Sequence, residues 1–111
     1  MLAPKPRSIV RSVNAFVADV RIYTTRFCGF CFAAKRLLSQ KGVDFQEIQA
    51  DSRPDLRSWL REVSGQHTVP QIFINGESIG GYSELSGLDR GGQLDGKLST
   101  PPQGDFSHLR S

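Results

Sequence analysis

Val20-Arg21-Ile22-Tyr23-Thr24-Thr25-Arg26-Phe27-Cys28-Gly29-Phe30-Cys31-Phe32-Ala33-Ala34-Lys35-Arg36-Leu37-Leu38 changes its apolar period half-way along. Val20, Ile22 and Tyr23 form a short β-branched and aromatic run, whereas Cys31, Ala34, Leu37 and Leu38 recur at helical spacing. The switch predicts a strand that feeds a helix, with the two cysteines at the junction. Cys28 then stands at the helix N-terminus, where unpaired backbone N–H groups and the positive end of the helix dipole favour an anion. Arg26, and less directly Lys35 and Arg36, add positive potential, so Cys28 is expected to ionise more readily than a free cysteine. Cys31 lies one turn in, on the Ala34 and Leu37 face, and is expected to be buried and to remain a thiol. A stabilised thiolate gains little as an attacker because nucleophilicity falls with basicity, but it becomes a good leaving group, which suits exchange. Two neighbouring cysteines also occur as small core residues; the strand-to-helix setting favours the redox reading.

Outward from this unit, Gly42 is placed to end the helix, and Val43, Phe45 and Ile48 suggest a second strand. Pro54 suits the first turn of a second helix with Leu56, Trp59, Leu60 and Val63 on its apolar face and Gly65 at its stop. Gln71 to Ile74 and Glu77 to Ile79 flank Asn75-Gly76, the pair that suits a two-residue type I′ hairpin. Ser83 is expected to cap a third helix carrying Leu85 and Leu88, which Gly91-Gly92 interrupts before Leu94 and Leu98. Ahead of the first strand, Lys5, Arg7 and Arg11 with no acid before Asp19 read as a basic extension or a short helix from Ser8 to Phe16. That stretch has a weak likeness to an organellar presequence and no apolar run of a secretory signal. The expected layout is an extension over 1–19, a domain over 20–99 and a mobile tail over 100–111, where Pro101, Pro102 and Gly104 cluster.

With 111 residues the chain is bounded at one small domain, and its 38% hydrophobic content is that of an ordinary globular protein. No run of about 18 apolar residues is present to span a bilayer. Residues 1–41 hold eight basic residues and one acid, against six basic and ten acidic in the remainder, so the front favours anions. Without a basic helix face carrying interleaved aromatics, that asymmetry does not point to nucleic acid. Two cysteines in close spacing are no disulfide scaffold, and His67 and His108 are not at zinc-finger spacing.

Ile22-Tyr23-Thr24-Thr25-Arg26-Phe27-Cys28-Gly29-Phe30-Cys31, then Thr68-Val69-Pro70-Gln71-Ile72-Phe73-Ile74, then Gly80-Gly81-Tyr82-Ser83-Glu84-Leu85 together resemble the glutaredoxins, over about Val20 to Leu98. The resemblance implies an α/β, thioredoxin-like fold with a four-stranded mixed sheet flanked by helices. It implies a glutathione-dependent thiol-disulfide oxidoreductase that reduces protein disulfides and glutathione mixed disulfides through Cys28, with Cys31 as the resolving thiol. Pro70, which read alone fits a sheet edge, is implied to follow a cis peptide and to turn the Val69 backbone toward the sulfur and the cysteinyl part of glutathione. Tyr82 and Ser83, after Gly81, are implied to receive the γ-glutamyl carboxylate at a helix N-terminus. Arg26, Phe30 and Thr68 complete the implied glutathione contacts near the sulfur, and Arg57 and His67 match positions facing the glycyl carboxylate. Arg57 equally fits a solvated helix face, and His67 a loop residue.

The sequence departs from the family at Thr25, where a lysine is common, and at Gly29-Phe30, where dithiol members commonly carry Pro-Tyr. Gly-Phe is typical of the monothiol class. The alternative reading is therefore an iron-sulfur carrier or redox sensor, a homodimer holding a [2Fe-2S] cluster through Cys28 of each chain and the sulfurs of two glutathiones. The expected partners are glutathione, protein disulfides and glutathionylated proteins, with no nucleic acid and no membrane. The chain is expected to be a monomer unless cluster-bound. Reduced-thiol chemistry points to the cytoplasm, with an organellar matrix as the alternative.

Overall fold

Residues 16–111 are described by the computed structural model; the helix expected from Ser8 lies, apart from Phe16, outside the described residues. The strands are β1 (Val20–Thr24), β2 (Gln46–Gln49), β3 (Gln71–Ile74) and β4 (Glu77–Gly80). The helices are α1 (Gly29–Lys41), α2 (Pro54–Ser64), α3 (Tyr82–Arg90) and α4 (Leu94–Ser99), in the order β1-α1-β2-α2-β3-β4-α3-α4. One mixed sheet results, with strand order β2-β1-β3-β4. β1 runs parallel to β2 and antiparallel to β3, and β3 pairs antiparallel with β4. The parallel pair needs a crossover, which α1 provides, while β3 and β4 need only a turn.

Side-chain alternation along the two central strands sorts the core into two layers. Val20 and Ile22 of β1 and Ile72 and Ile74 of β3 pack with Ala34 and Leu38 of α1, Leu85 of α3, and Leu94 and Leu98 of α4. Tyr23 and Phe73 point to the other face and meet Ile48, Leu56, Trp59 and Leu60. Both faces of β1 and β3 are thus covered, α2 lying opposite α1. This is the thioredoxin-like arrangement that the motifs imply.

The turn between β3 and β4 has the expected chemistry: Asn75 at φ 50° and Gly76 at φ 81° both adopt the left-handed region that a type I′ turn requires. Asn75 does more than turn the chain. Its Oδ1 accepts from the Asp19 N–H at 2.8 Å and its Nδ2 donates to the Thr100 carbonyl at 2.8 Å. Asn75 N–H donates in turn to the Asp19 carbonyl at 2.7 Å, so this residue binds the hairpin to the entrance of β1 and to the chain leaving α4.

Four expectations are corrected. The second strand begins only at Gln46; Val43 is buried in the α1 layer and Ile48 in the α2 layer, so the run from Val43 to Ile48 changes sides of the sheet. Val63 is exposed, because Leu56, Trp59 and Leu60 already complete the buried stripe of α2. Gly81, not Ser83, is the N-cap of α3, and its N–H is satisfied by the Glu84 carboxylate at 2.8 Å. Residues 100–111 have no helix or strand but are not a free tail. Leu109 is buried in the α2 layer with Phe106 against it, the Tyr23 hydroxyl donates to the Arg110 carbonyl, and Arg53 donates to the Ser111 carbonyl at 3.0 Å. Two apolar side chains and two hydrogen bonds offset the entropy of ordering this segment. Among the described residues no helix is long and apolar enough to cross a membrane.

Candidate active site

Cys28 is the N-cap of α1, with an extended backbone (φ −133°, ψ 106°), and its Sγ accepts from the Cys31 N–H at 3.1 Å. That N–H belongs to the first turn of α1, where the helix's own ladder offers it no acceptor, so the cap fixes the sulfur at the positive end of the helix. No acid occupies the first turn of α1 to oppose it. Cys28 is partly exposed and Cys31 buried, both as free cysteines. Burial, aided by the hydrogen bond with Cys28, pushes the Cys31 thiol up to about 12, so across the neutral range it keeps its proton. The two sulfurs are therefore unlike in access.

The wall facing Cys28 comes from the start of β3. The Val69–Pro70 peptide is cis, and the Val69 carbonyl oxygen lies 3.7 Å from Cys28 Sγ. Gln71, fully buried, holds the approach to this peptide: its Nε2 donates to the Thr68 carbonyl at 2.9 Å and to Gln66 Oε1 at 3.0 Å. On the far side of Pro70 stands the N-terminus of α3. A Cβ at Gly81 would come within 3.3 Å of the Pro70 carbonyl, so glycine there permits the two backbones to approach. Between these walls lies a groove of about 320 Å³, lined by Phe30, Thr68, Val69, Pro70, Gly81, Tyr82 and Ser83 from the expected set. Phe30 and Tyr82 stack across one end, ring centroids 6.2 Å apart.

Gln66 and Glu84 also line the groove and were not among the expected residues. Glu84 was legible as the third residue of a capped helix; Gln66 carried no signal. Arg26, Arg57 and His67 of the expected contacts do not line it, nor does either cysteine, although the Val69 carbonyl beside Cys28 Sγ belongs to a lining residue. Arg26 turns outward, its Nε 3.8 Å from Asp51 and its guanidinium 5.9 Å from the Phe27 ring centre, while its backbone N–H donates to the same Asp51 carboxylate at 3.1 Å. Arg57 donates to the His67 carbonyl at 3.2 Å, which brings these two together next to Gln66 rather than in the groove. Lys35, expected to add to the field at the cysteines, is paired with Glu47 at 3.0 Å. A wider open depression of about 930 Å³ runs past Glu77, Gly87, Gly96 and Lys97 and shares only Glu84 with the groove.

The sequence model of the glutaredoxin family matches residues 20–79. Glutaredoxin from Pseudomonas aeruginosa is 51% identical over 80 residues, covering 72% of this chain and 95% of that protein. The chain belongs to the glutaredoxin family. Two solved glutaredoxins have the same fold: one from Brucella melitensis, 45% identical with a TM-score of 0.69 over 78% of this chain and 92% of that one, and one from buckwheat, crystallised as a glutathione complex. The buckwheat protein is 30% identical, with a TM-score of 0.70 over 84% of this chain and 86% of its own. Like its relatives, this glutaredoxin is a thiol-disulfide oxidoreductase, and the Cys28–Cys31 spacing is that of the family's C-x-x-C active site.

Proposed function

We propose that this glutaredoxin uses glutathione as its reductant and that the groove beside Cys28 is its glutathione site. One observation carries the reading: the accessible cysteine sulfur is held by a helix-end N–H and faces the carbonyl of Val69, a residue that lines a groove ending on a second helix N-terminus. The Val69 backbone suits the cysteinyl amide of the tripeptide, and the first N–H groups of α3, at Tyr82 and Ser83, suit a carboxylate. Phe30 covers the site from α1, and Arg26, Arg57 and His67 are reserved for the outer rim.

In the proposed cycle the Cys28 thiolate attacks the glutathione sulfur of a mixed disulfide. A Cys28–glutathione disulfide forms, the original S–S bond breaks, and the substrate leaves as a thiolate that takes a proton from water. A second glutathione thiolate then attacks the glutathione sulfur on Cys28, releasing oxidised glutathione and restoring the Cys28 thiolate. For a protein disulfide, Cys28 attacks one sulfur and releases the other as a thiol; Cys31 then gives up its proton as it attacks Cys28 Sγ, forming the Cys28–Cys31 disulfide and releasing the second substrate thiol, and two glutathiones restore the dithiol as oxidised glutathione forms. Cys31→Ser should retain reduction of a glutathionylated peptide and lose most reduction of a protein disulfide, while Cys28→Ser should lose both. Wild-type protein that forms no adduct with oxidised glutathione at Cys28, by mass spectrometry, would overturn the assignment.

A second reading, a [2Fe-2S] cluster shared by two chains, is favoured by Gly29: nothing lies within 4 Å of the Cβ it lacks, which leaves open space beside Cys28. Among the described residues no three metal-ligating side chains gather, so Cys28 is the one protein ligand each chain would offer, and bound glutathione would supply the rest. Such a cluster would provide one-electron chemistry or a transferable cargo. Anaerobic reconstitution with glutathione should then give a coloured dimer; a colourless monomer rejects this reading and leaves the exchange cycle standing.

A further inference from the structure

Beyond the groove facing Val69, the start of α1 carries features that exchange with a tripeptide does not need. Phe27, Phe30 and Phe32 are 96%, 67% and 64% exposed, a density of bare aromatic surface that small soluble proteins reserve for contact with something else. Phe30 is accounted for by its stack on Tyr82. Phe32 is not: with Gly29, Arg36, Gln40 and Tyr82 it lines a second open depression of about 250 Å³. Tyr82 borders both hollows, so the second continues from the first across the Phe30–Tyr82 stack.

The charge at its rim that is free of an ion pair is positive. The Arg36 guanidinium sits 6.0 Å from the Phe32 ring centre and makes no ion pair among the described residues. Arg26, over Phe27, is 65% exposed, although its Nε lies 3.8 Å from the Asp51 carboxylate. The neighbouring carboxylates are already occupied, Glu47 by Thr24 and Lys35 and Glu84 by the Gly81 N–H.

We propose that this second depression docks an acidic polypeptide segment flanking the target cysteine of a glutathionylated protein, an apolar side chain resting on Phe32 and a carboxylate meeting Arg36, with Arg26 extending the field. The inference rests on the exchange reading above and names its substrate class. A second copy of the chain fits poorly, since a symmetric contact through this face would bring arginines against arginines. An anionic lipid surface matches the charge but not the shape: the hollow is concave and continuous with the site of the reacting sulfur, which suits a side chain better than a flat headgroup layer.

The test uses two glutathionylated peptides of one sequence, flanked by Asp and Glu in one and by Lys in the other, beside the mixed disulfide of glutathione with 2-mercaptoethanol. At low ionic strength the wild type should turn over the acidic peptide with a kcat/KM about three- to tenfold above the basic one, the range open to exposed charge pairs. Rising salt should shrink that preference. Each variant's kcat/KM on the peptides is divided by its own value on the small disulfide, which removes any change in Cys28 reactivity; so normalised, Arg36→Glu should abolish or reverse the preference, and Phe32→Ser should slow both peptides. If the wild type leaves the small disulfide intact, the exchange reading itself fails. If the small disulfide is reduced but the acidic peptide has no advantage, or Arg36→Glu leaves the advantage intact, the docking proposal is overturned. Loss of that advantage together with Arg36-dependent sedimentation on phosphatidylserine vesicles would reassign the face to lipid. Loss of it together with Phe32-dependent self-association would reassign the face to a second copy.

Discussion

Two residues separate a pair of sulfurs that the fold treats in opposite ways. Cys28 is partly exposed beside the Val69 carbonyl with an N–H donating to it, while Cys31 is buried and held protonated, up to about 12, by loss of solvent. Since alkylation requires both a thiolate and access, fully reduced protein treated with iodoacetamide at pH 7 should take one carbamidomethyl group, at Cys28. Peptide mass mapping should find Cys31 modified only after denaturant is added; equal labelling of both in the native state would contradict this division. The residues that a motif carries, Cys28 and Cys31, Thr68 to Pro70, Tyr82 and Ser83, were legible because their chemistry depends on local backbone geometry that the sequence itself encodes. Arg26 was not, because the carboxylate that draws it outward, Asp51, lies 25 positions away on the connection between β2 and α2. Gln71 reads as one more strand residue; only its buried amide, clamping Thr68 and Gln66, reveals that it braces the wall of the groove.

Beyond the core and the strand ladders, two polar side chains tie elements together. Asn75 carries a φ of 50° and ties β1 to the β3–β4 turn and to Thr100; replacing it with Ala removes two hydrogen bonds and raises the strain of the turn. Asn75→Ala should cost about 2 kcal/mol, lowering the Tm by about 10 °C in a domain of this size, and a shift under 2 °C in calorimetry would show that the turn holds without it. Glu47 of β2 accepts from the Thr24 hydroxyl of β1 at 2.7 Å and from Lys35 of α1 at 3.0 Å. Burial works to raise its pKa, but the Thr24 hydroxyl and the Lys35 ammonium together outweigh it and leave the carboxyl below its usual value. On acidification the unfolded chain, with its ordinary carboxyl near pH 4.3, takes up this proton first. The stabilisation is therefore present above that pH and lost as pH falls through the lower folded value. Wild type should exceed Glu47→Gln in Tm at pH 6, with the gap closing by pH 3. A gap that persists unchanged would assign the difference to packing. The hairpin and the Pro54 start of α2 were readable from turn and cap chemistry. The Ser83 cap was misplaced because a glycine backed by Glu84 fulfils the same role two residues earlier, where no side chain marks it.

At the scale of the molecule, the sheet divides the chain into a face that builds the redox site and a face that closes on its own C-terminal segment. Val20, Ile22, Ile72 and Ile74 support α1, α3 and α4, hence Cys28 and the groove, while Tyr23, Phe73 and Trp59 form an aromatic cluster over which Leu109 and Phe106 fold. Composition concealed this second role, since 100–111 is rich in Pro, Gly and polar residues and holds only two apolar side chains of any size. Their partners are aromatic rings whose grouping exists only once β1, β3 and α2 have assembled, with Trp59 and Phe73 at 6.2 Å and Tyr23 and Phe73 at 5.6 Å between centroids. Burial also pushes the Tyr23 phenol up to about 12, so its donation to the Arg110 carbonyl survives throughout the physiological range. Leu109→Ala should thus leave a void beside Trp59 and cost about 2 to 3 kcal/mol, with the Trp59 emission shifting to the red as water reaches the ring. Reduction of a small glutathione mixed disulfide should be unchanged, because α1 and Cys31 sit across the sheet. An unaltered Tm with unaltered emission would mean that the C-terminal segment does not hold this cluster in solution, whereas lost stability with lost exchange would mean that the two faces are coupled through β1 and β3.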